Sequence, residues 1–129
     1  MEHRFDVKVY YEDTDSLGVV YYANYLRYLE RARTELVAGE GKDIGQWNAE
    51  GFNFAVFEVR IRFLKPARLG DTLTVVTTNV GGTDFRRKLQ QNIERDGEVV
   101  TEAKVDLVCL DGQMDLTEFP DGIFVSPGR

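Results

Sequence analysis

The feature that most constrains the fold of this chain is one long helical pattern followed by strand-like sequence. From about residue 23 to 38, apolar residues recur at spacings of three and four with charged residues between them. Before this segment, residues 4–11 alternate between apolar and polar, which predicts a half-buried strand. Segments rich in aromatic and β-branched residues predict further strands at 52–63, 72–80, 85–95 and 99–110. This order predicts an α+β fold, in which the helix packs on one face of an antiparallel sheet.

Glycine-containing pairs mark the turns between the later predicted strands. Gly81-Gly82 and Asp96-Gly97 separate the last three strands, which predicts an antiparallel meander. A short helical turn is expected at 43–47, and an irregular tail after residue 111. No repeat or linker divides the 129 residues, so we expect a single domain over 1–129.

The composition excludes several classes of protein. Hydrophobic residues make up 43% of the chain and charged residues 29%, which is typical of a globular protein. No segment approaches the roughly 18 apolar residues of a membrane span, and the first residues lack an apolar signal core. The one cysteine, Cys109, cannot form an internal disulfide and is expected to pack in the core. We therefore expect a cytoplasmic protein without a membrane span.

The charge distribution argues against a nucleic-acid partner and singles out one basic run. The net charge is −6, so the surface as a whole repels polyanions. Arg86, Arg87 and Lys88 follow one another in this acidic chain and could receive the phosphates of a small ligand. The alternative is a solvated strand or hairpin tip.

A polar loop between the first strand and the helix carries two aspartates, Asp13 and Asp15, separated by one threonine. An aspartate in such a position often only caps a helix or forms a turn. Here the whole segment from Tyr10 to Tyr25, followed by 28–35, closely resembles the 4-hydroxybenzoyl-CoA thioesterase family. Its motif is Asp-x-Asp-x-x-Gly-x-Val-aromatic, and it is most similar to the Tol-Pal-associated acyl-CoA thioesterase branch.

The resemblance continues into residues 63–73 and so covers most of the chain. It implies the hotdog fold, with a long central helix packed on a five-stranded antiparallel sheet. It further implies an acyl-CoA thioesterase that releases a free acid and coenzyme A. Two alternatives stay open, namely hydrolysis of an aromatic hydroxybenzoyl or hydroxynaphthoyl CoA, and a noncatalytic acyl-CoA binding module.

The same resemblance assigns roles to particular residues. The second aspartate, Asp15, would be catalytic, as a nucleophile or as a general base. The backbone N–H of Tyr22, seven residues later, would polarise the thioester carbonyl at the start of the helix. Asp13 is expected to be structural. Glu30 is a second candidate, because the family often keeps this position acidic, although a helical carboxylate between arginines commonly just forms an ion pair.

Tyr22 is a departure from the Tol-Pal branch, many members of which have histidine there, whereas the 4-hydroxybenzoyl branch tends to tyrosine. The choice between aliphatic and aromatic acyl groups therefore stays open. His3, the only histidine, precedes the first strand, which counts against a hotdog dehydratase.

The resemblance also implies an assembly, since subunits of this family pair their sheets and build active sites between them. We expect a homodimer or a homotetramer. We expect neither a metal nor a cofactor, because coenzyme A belongs to the substrate. Its phosphates would meet Arg86, Arg87 and Lys88.

Overall fold

A computed structural model describes residues 2–124 of the protein, and its centre is one antiparallel sheet against a long helix. The strands are β1 His3–Lys8, β2 Asn53–Phe63, β3 Thr72–Thr83, β4 Arg86–Arg95, β5 Glu98–Leu110 and β6 Leu116–Thr117. The helices are α1 Asn24–Gly39 and α2 Ile44–Ala49, and a 3-10 turn spans Tyr11–Asp13. The strand order is β1-β3-β4-β5-β2, with β6 paired to the end of β5. The predicted α+β fold with five strands is confirmed, and the two-residue β6 adds to it.

The helix α1 forms because one face of it is apolar, and this face is buried against the sheet. The buried residues are Tyr25, Tyr28, Leu29, Ala32, Leu36 and Val37. They meet the inward side chains of three neighbouring strands, namely Leu73, Val75, Leu89, Ile93, Ala103, Val105 and Leu107. Each fully buried leucine or isoleucine contributes about 1.5–3 kcal/mol, so this contact fixes the helix on the sheet.

The edge strand β2 ends the sheet without a partner on its outer side among residues 2–124. It is eleven residues long, and Val56, Phe57 and Phe63 on it are exposed. A long apolar edge of this kind offers unpaired backbone groups to another strand. No helix among the described residues is long and apolar enough to span a membrane.

The prediction of a turn at Gly81-Gly82 is wrong. Strand β3 runs on to Thr83, with a bulge between Asn79 and Gly81, and Gly82 pairs with Arg87 across the ladder. A Cβ atom on Gly82 would lie 2.3 Å from the Arg86 carbonyl oxygen, so this glycine permits a close approach of two backbones. The second predicted turn is confirmed, since residues 96 and 97 join β4 to β5 with φ angles of 52° and 80°.

Candidate active site

The loop between the 3-10 turn and α1 is a tight hairpin that carries Asp15. Thr14 and Val20 pair as an antiparallel bridge, and the Asp15 N–H donates to the Val19 carbonyl at 2.9 Å. The Gly18 N–H donates to the Asp15 carbonyl at 3.0 Å, which closes a four-residue turn. Gly18 has a φ of +79°, a conformation that side chains other than glycine seldom adopt. The position of Asp15 is thus fixed by backbone hydrogen bonds.

The Asp15 carboxylate is half-buried and only partly used by the fold. Its Oδ1 atom accepts the Leu17 N–H at 2.8 Å. Asp15 therefore has the turn-forming role that the sequence offered as the alternative to catalysis. Its Oδ2 atom accepts no hydrogen bond from the described residues. One oxygen therefore holds the turn and the other is available to water or a ligand.

Asp13 has a different environment from Asp15, although only one residue separates them. It is 7% exposed, and its Oδ2 atom accepts the Tyr10 N–H at 2.9 Å. Its main-chain carbonyl accepts both the Tyr21 N–H and the Asn24 side-chain amide, each at 2.9 Å. These contacts agree with the expectation that Asp13 has a structural role, because one carboxylate oxygen and the main-chain carbonyl are bound within the fold.

Tyr28 closes the inner side of this loop. Its side chain is fully buried, and its hydroxyl lies near the Asp13 carboxylate without forming a hydrogen bond of good geometry within residues 2–124. Burial, and secondly the neighbouring carboxylate, raise the pKa of Tyr28 well above its usual value. Tyr28 therefore stays neutral and forms part of the wall behind the loop.

The start of α1 presents two free N–H groups. The Asn24 N–H donates to the Tyr21 carbonyl at 2.8 Å, whereas the N–H groups of Tyr22 and Ala23 donate to no residue in the described part of the chain. The first N–H groups of a helix lack intrahelical partners and carry the positive end of the helix dipole. The Tyr22 N–H can therefore donate a hydrogen bond to a carbonyl oxygen of a ligand without breaking a bond of the fold.

An open apolar hollow of about 320 Å³ adjoins Tyr22. It is lined by Val20, Tyr22, Tyr25, Phe63, Leu64, Lys65 and Pro66. The Phe63 ring meets the Tyr22 ring edge-on, with centroids 6.3 Å apart, and lies 5.3 Å from the Tyr25 ring. Phe63 lies within the segment 63–73 that shares the family resemblance, but the sequence predicted no role for it. Only the folded sheet brings Phe63 beside the start of α1.

The segment after β2 braces the Asp15 hairpin from outside. The Val20 N–H donates to the Ala67 carbonyl at 2.8 Å, and Val19 bridges to Arg68. Asp71 in turn accepts the Arg68 N–H and the Arg95 guanidinium, both at 2.9 Å. Burial alone would raise the pKa of Asp71, but the Arg68 N–H and the Arg95 guanidinium outweigh it and lower that pKa. Residues 67–69 therefore contact the hairpin that carries Asp15 and help to hold it in place.

The family model described as the thioesterase-like superfamily matches residues 9–124. The chain belongs to the thioesterase-like superfamily.

Related members of the superfamily have assigned activities. The acyl-CoA thioester hydrolase YbgC of Escherichia coli is 38% identical over 110 residues, covering 84% of this chain and 81% of the relative. The 1,4-dihydroxy-2-naphthoyl-CoA hydrolase of Thermosynechococcus vestitus is 35% identical over 104 residues, covering 79% and 71%. A solved structure of a probable thioesterase from Bartonella henselae has a TM-score of 0.89 at 30% identity, covering 93% of this chain and 100% of the other. The predicted hotdog fold and the resemblance to the Tol-Pal-associated thioesterase branch are confirmed.

Glu30 lies apart from the hollow of this thioesterase-like protein. It is exposed on α1 and forms no ion pair within 4.0 Å among residues 2–124, so the expected pairing with an arginine is not observed. It borders a second hollow of about 400 Å³, together with Phe5, Arg27, Arg31, Thr34 and Glu35. The two hollows share no lining residue. Within one subunit, Glu30 and Tyr22 therefore do not face the same space.

The basic run is divided between the two faces of the sheet, because successive side chains of a strand point to opposite sides. Arg86 lies over the Phe57 ring at 4.2 Å, and both Arg86 and Lys88 line an open hollow of about 540 Å³. Arg87 points the other way and lies over the Phe119 ring at 4.6 Å. Only two of the three predicted cations share a surface.

The described residues contain no cluster of three or more histidine, cysteine, aspartate or glutamate side chains placed to hold a metal ion. His3 lies on β1 with a half-buried ring, and burial lowers its pKa while Glu35 and Glu40 act against this. Cys109 is buried as expected, and burial raises the pKa of its thiol.

Proposed function

We propose that this protein hydrolyses the thioester bond of an acyl-CoA and releases a free acid and coenzyme A. The observation that carries the proposal is the pairing of a carboxylate and a helix N-terminus on one short segment. Asp15 has an uncommitted oxygen, Tyr22 has a free N–H, and an apolar hollow adjoins Tyr22. The names of the relatives support the same reaction.

In the proposed reaction the acyl group occupies the hollow and the thioester carbonyl oxygen accepts the Tyr22 N–H. As the carbonyl carbon becomes tetrahedral, negative charge develops on that oxygen, and a fixed N–H at the helix start stabilises it. The C–S bond then breaks, and the sulfur leaves as the coenzyme A thiolate. No cofactor is required, because coenzyme A enters with the substrate.

Asp15 can act in either of two ways. As a nucleophile, its Oδ2 atom attacks the carbonyl carbon and forms a mixed anhydride, which water then hydrolyses. As a general base, it removes a proton from the water that attacks the carbonyl. Label in the Asp15 side chain after a single turnover in ¹⁸O-labelled water would identify the nucleophile, because it enters there only if an anhydride forms and water attacks its aspartyl carbonyl.

The acyl group can be aliphatic or aromatic, and one observation favours an aromatic group. Three rings, Tyr22, Tyr25 and Phe63, border the hollow with edge-on and tilted contacts to one another. Such rings stack well on a planar acyl group. Aromatic hydroxybenzoyl or hydroxynaphthoyl CoA is therefore the alternative substrate class.

The phosphates of coenzyme A would meet Arg86 and Lys88 on the open face of the sheet. Both cations border one hollow, and their side chains form no ion pair among the described residues. Arg87 was expected to join them, but its contacts with the C-terminal residues direct it elsewhere. We therefore restrict the proposed phosphate site to Arg86 and Lys88.

The proposed assembly is a homodimer or homotetramer formed in the cytoplasm. The unpaired edge of β2 and its exposed apolar residues support pairing of two sheets. The hollow beside Tyr22 is open in one subunit, so a second subunit would complete it. Sedimentation combined with an activity assay tests this proposal, and full activity in a monomer would contradict it.

The decisive experiment measures free-thiol release from a panel of short, long and aromatic acyl-CoAs. Wild type is compared with Asp15→Asn, which keeps the side-chain oxygen that accepts the Leu17 N–H. Asp111→Asn is the matched control, because Asp111 accepts the Gln113 N–H at 2.9 Å in a similar turn far along the chain. Turnover in wild type and Asp111→Asn, with at least about a 100-fold loss in Asp15→Asn, supports the proposal.

Two results would contradict it. Full activity of Asp15→Asn would remove Asp15 from the reaction. Tight acyl-CoA binding without thiol release by wild type would instead identify a noncatalytic binding module. Glu30→Gln belongs in the same panel, and we expect it to retain activity because Glu30 borders a different hollow.

A further inference from the structure

One side-chain hydrogen bond connects the loop that carries Asp15 to the helix start that carries Tyr22. The Asn24 amide nitrogen, Nδ2, donates to the Asp13 carbonyl at 2.9 Å. Asn24 is the first residue of α1 and is partly buried. Apart from the Tyr21 N–H, no other described group donates to this carbonyl.

The position of this bond gives it a consequence for the site. Asp15 lies two residues after Asp13, and Tyr22 lies two residues before Asn24. The bond therefore joins two points immediately outside the segment that holds both reacting groups. Within that segment, the geometry is set by backbone hydrogen bonds, by the Leu17 N–H bond to the Asp15 side chain, and by bonds to residues 67–69.

We propose that Asn24 is a positioning residue that sets the distance between the Asp15 carboxylate and the Tyr22 N–H. The inference rests on the proposed function, in which both groups act on one carbonyl. Attack and charge stabilisation at one carbonyl demand close control of distance, and a misplacement of about 1 Å costs on the order of 100-fold in rate. Loss of the Asn24 donor leaves the Tyr21 N–H as the one hydrogen bond to the Asp13 carbonyl from the described residues, which loosens the loop against the helix start.

A purely structural role for Asn24 at the helix start predicts a different result. The first turn of α1 contains no acidic residue, so an aspartate at position 24 would favourably face the positive end of the helix dipole. Helix stability alone would therefore tolerate Asn24→Asp. Positioning would not, because a carboxylate has no donor and would place an oxygen against the Asp13 carbonyl oxygen.

The test compares Asn24→Asp, Asn24→Ala and Asn24→Ser with wild type in the thiol-release assay, well below each melting temperature. We expect kcat to fall about 10- to 100-fold in Asn24→Asp and less in Asn24→Ala, with KM within about threefold of wild type. Asn24→Ser retains a donor hydroxyl and is expected to recover part of the loss. Asn48→Asp makes the same chemical change at an exposed position of α2 and is expected to leave kcat unchanged.

The same assay includes Asp15→Asn, which separates two kinds of failure. If wild type has no turnover or Asp15→Asn keeps it, the proposed function fails. If Asp15→Asn is inactive while Asn24→Asp and Asn24→Ala have the kcat of wild type, only the positioning role fails. Losses of kcat that parallel the fall in melting temperature across the Asn24 variants would also overturn the positioning role. If one of these variants does not fold, the other two decide the question.

Discussion

The Arg87 guanidinium donates a hydrogen bond from Nε to the Ile123 carbonyl at 3.2 Å, while its Nη1 donates to the Thr83 carbonyl at 2.7 Å. Its plane also lies over the Phe119 ring. Arg87 thus joins the end of the β3–β4 hairpin to the C-terminal part of the described chain. Its two sequence neighbours, Arg86 and Lys88, make none of these contacts, so Arg87 differs from them in role.

Substitutions in this run should separate stability from substrate binding. Arg87→Gln is expected to lower the free energy of unfolding by about 1–3 kcal/mol, because it removes charge-assisted hydrogen bonds to the partly buried Ile123 carbonyl and to the exposed Thr83 carbonyl. Arg86→Gln and Lys88→Gln are expected to raise KM for acyl-CoA with little change in stability. Urea unfolding and thiol-release kinetics measure the two effects. An acyl-pantetheine without phosphates is the control substrate, and an equal rise in its KM would contradict phosphate binding.

Gly18 closes the Asp15 hairpin at a φ that disfavours other residues. Gly18→Ala is expected to cost about 1–2 kcal/mol and to lower kcat, because the strained turn displaces the carboxylate. Gly39→Ala is the matched control, since Gly39 lies in α1 and an added Cβ there meets no atom within 4 Å. Thermal melting and steady-state kinetics measure both variants. Equal stability of the two alanine variants would argue against strain at Gly18.

The neighbouring glycines at the end of β3 provide a paired test of close packing. Both have a positive φ, but an added Cβ meets the Arg86 carbonyl only at Gly82 and meets nothing within 4 Å at Gly81. Gly82→Ala should therefore be less stable than Gly81→Ala by about 1–3 kcal/mol, the usual cost of overpacking. Denaturant unfolding gives this difference directly. If the two variants unfold at the same denaturant concentration, the close approach of the strands is not rigid.

His3 should make stability depend on pH. Its Nδ1 atom is buried without a hydrogen bond among residues 2–124, and burial lowers its pKa below 6.5, although Glu35 and Glu40 act to raise it. The unfolded chain therefore binds a proton at a higher pH than the folded chain. The contribution of His3 to the free energy of unfolding is fully present above about pH 6.5. It is lost as the pH falls toward the pKa of His3 in the folded chain.

Melting temperatures of wild type and His3→Gln between pH 8 and pH 5 measure the effect. We expect the wild-type melting temperature to fall more steeply over this range than that of His3→Gln. The same carboxylates titrate in both proteins, so their effect on the melting temperature cancels in the comparison. Parallel curves would show that His3 does not contribute.

The sequence by itself determined where the long helix and the five main strands lie, and the family resemblance of its motif indicated the fold and the candidate carboxylate. The helix and the strands were predicted because each has one buried face, and burial leaves a period of about three and a half or of two in the sequence. Asp15 and Tyr22 were predicted because their motif is local and resembles that of a family. Asp15 and Tyr22 lie close together in the chain, so one contiguous segment contains both residues.

Only the tertiary structure decided which distant residues complete the site and which cations are free. Phe63 reaches Tyr22 because the far end of an edge strand lies beside the helix start. Arg87 leaves the basic run because strand alternation turns it toward the C-terminal residues. The turn that follows Thr83 was predicted at Gly81-Gly82 instead, because glycine is found both in turns and at close contacts between backbones. Contacts between residues far apart in sequence depend on register and packing, and no local pattern encodes these.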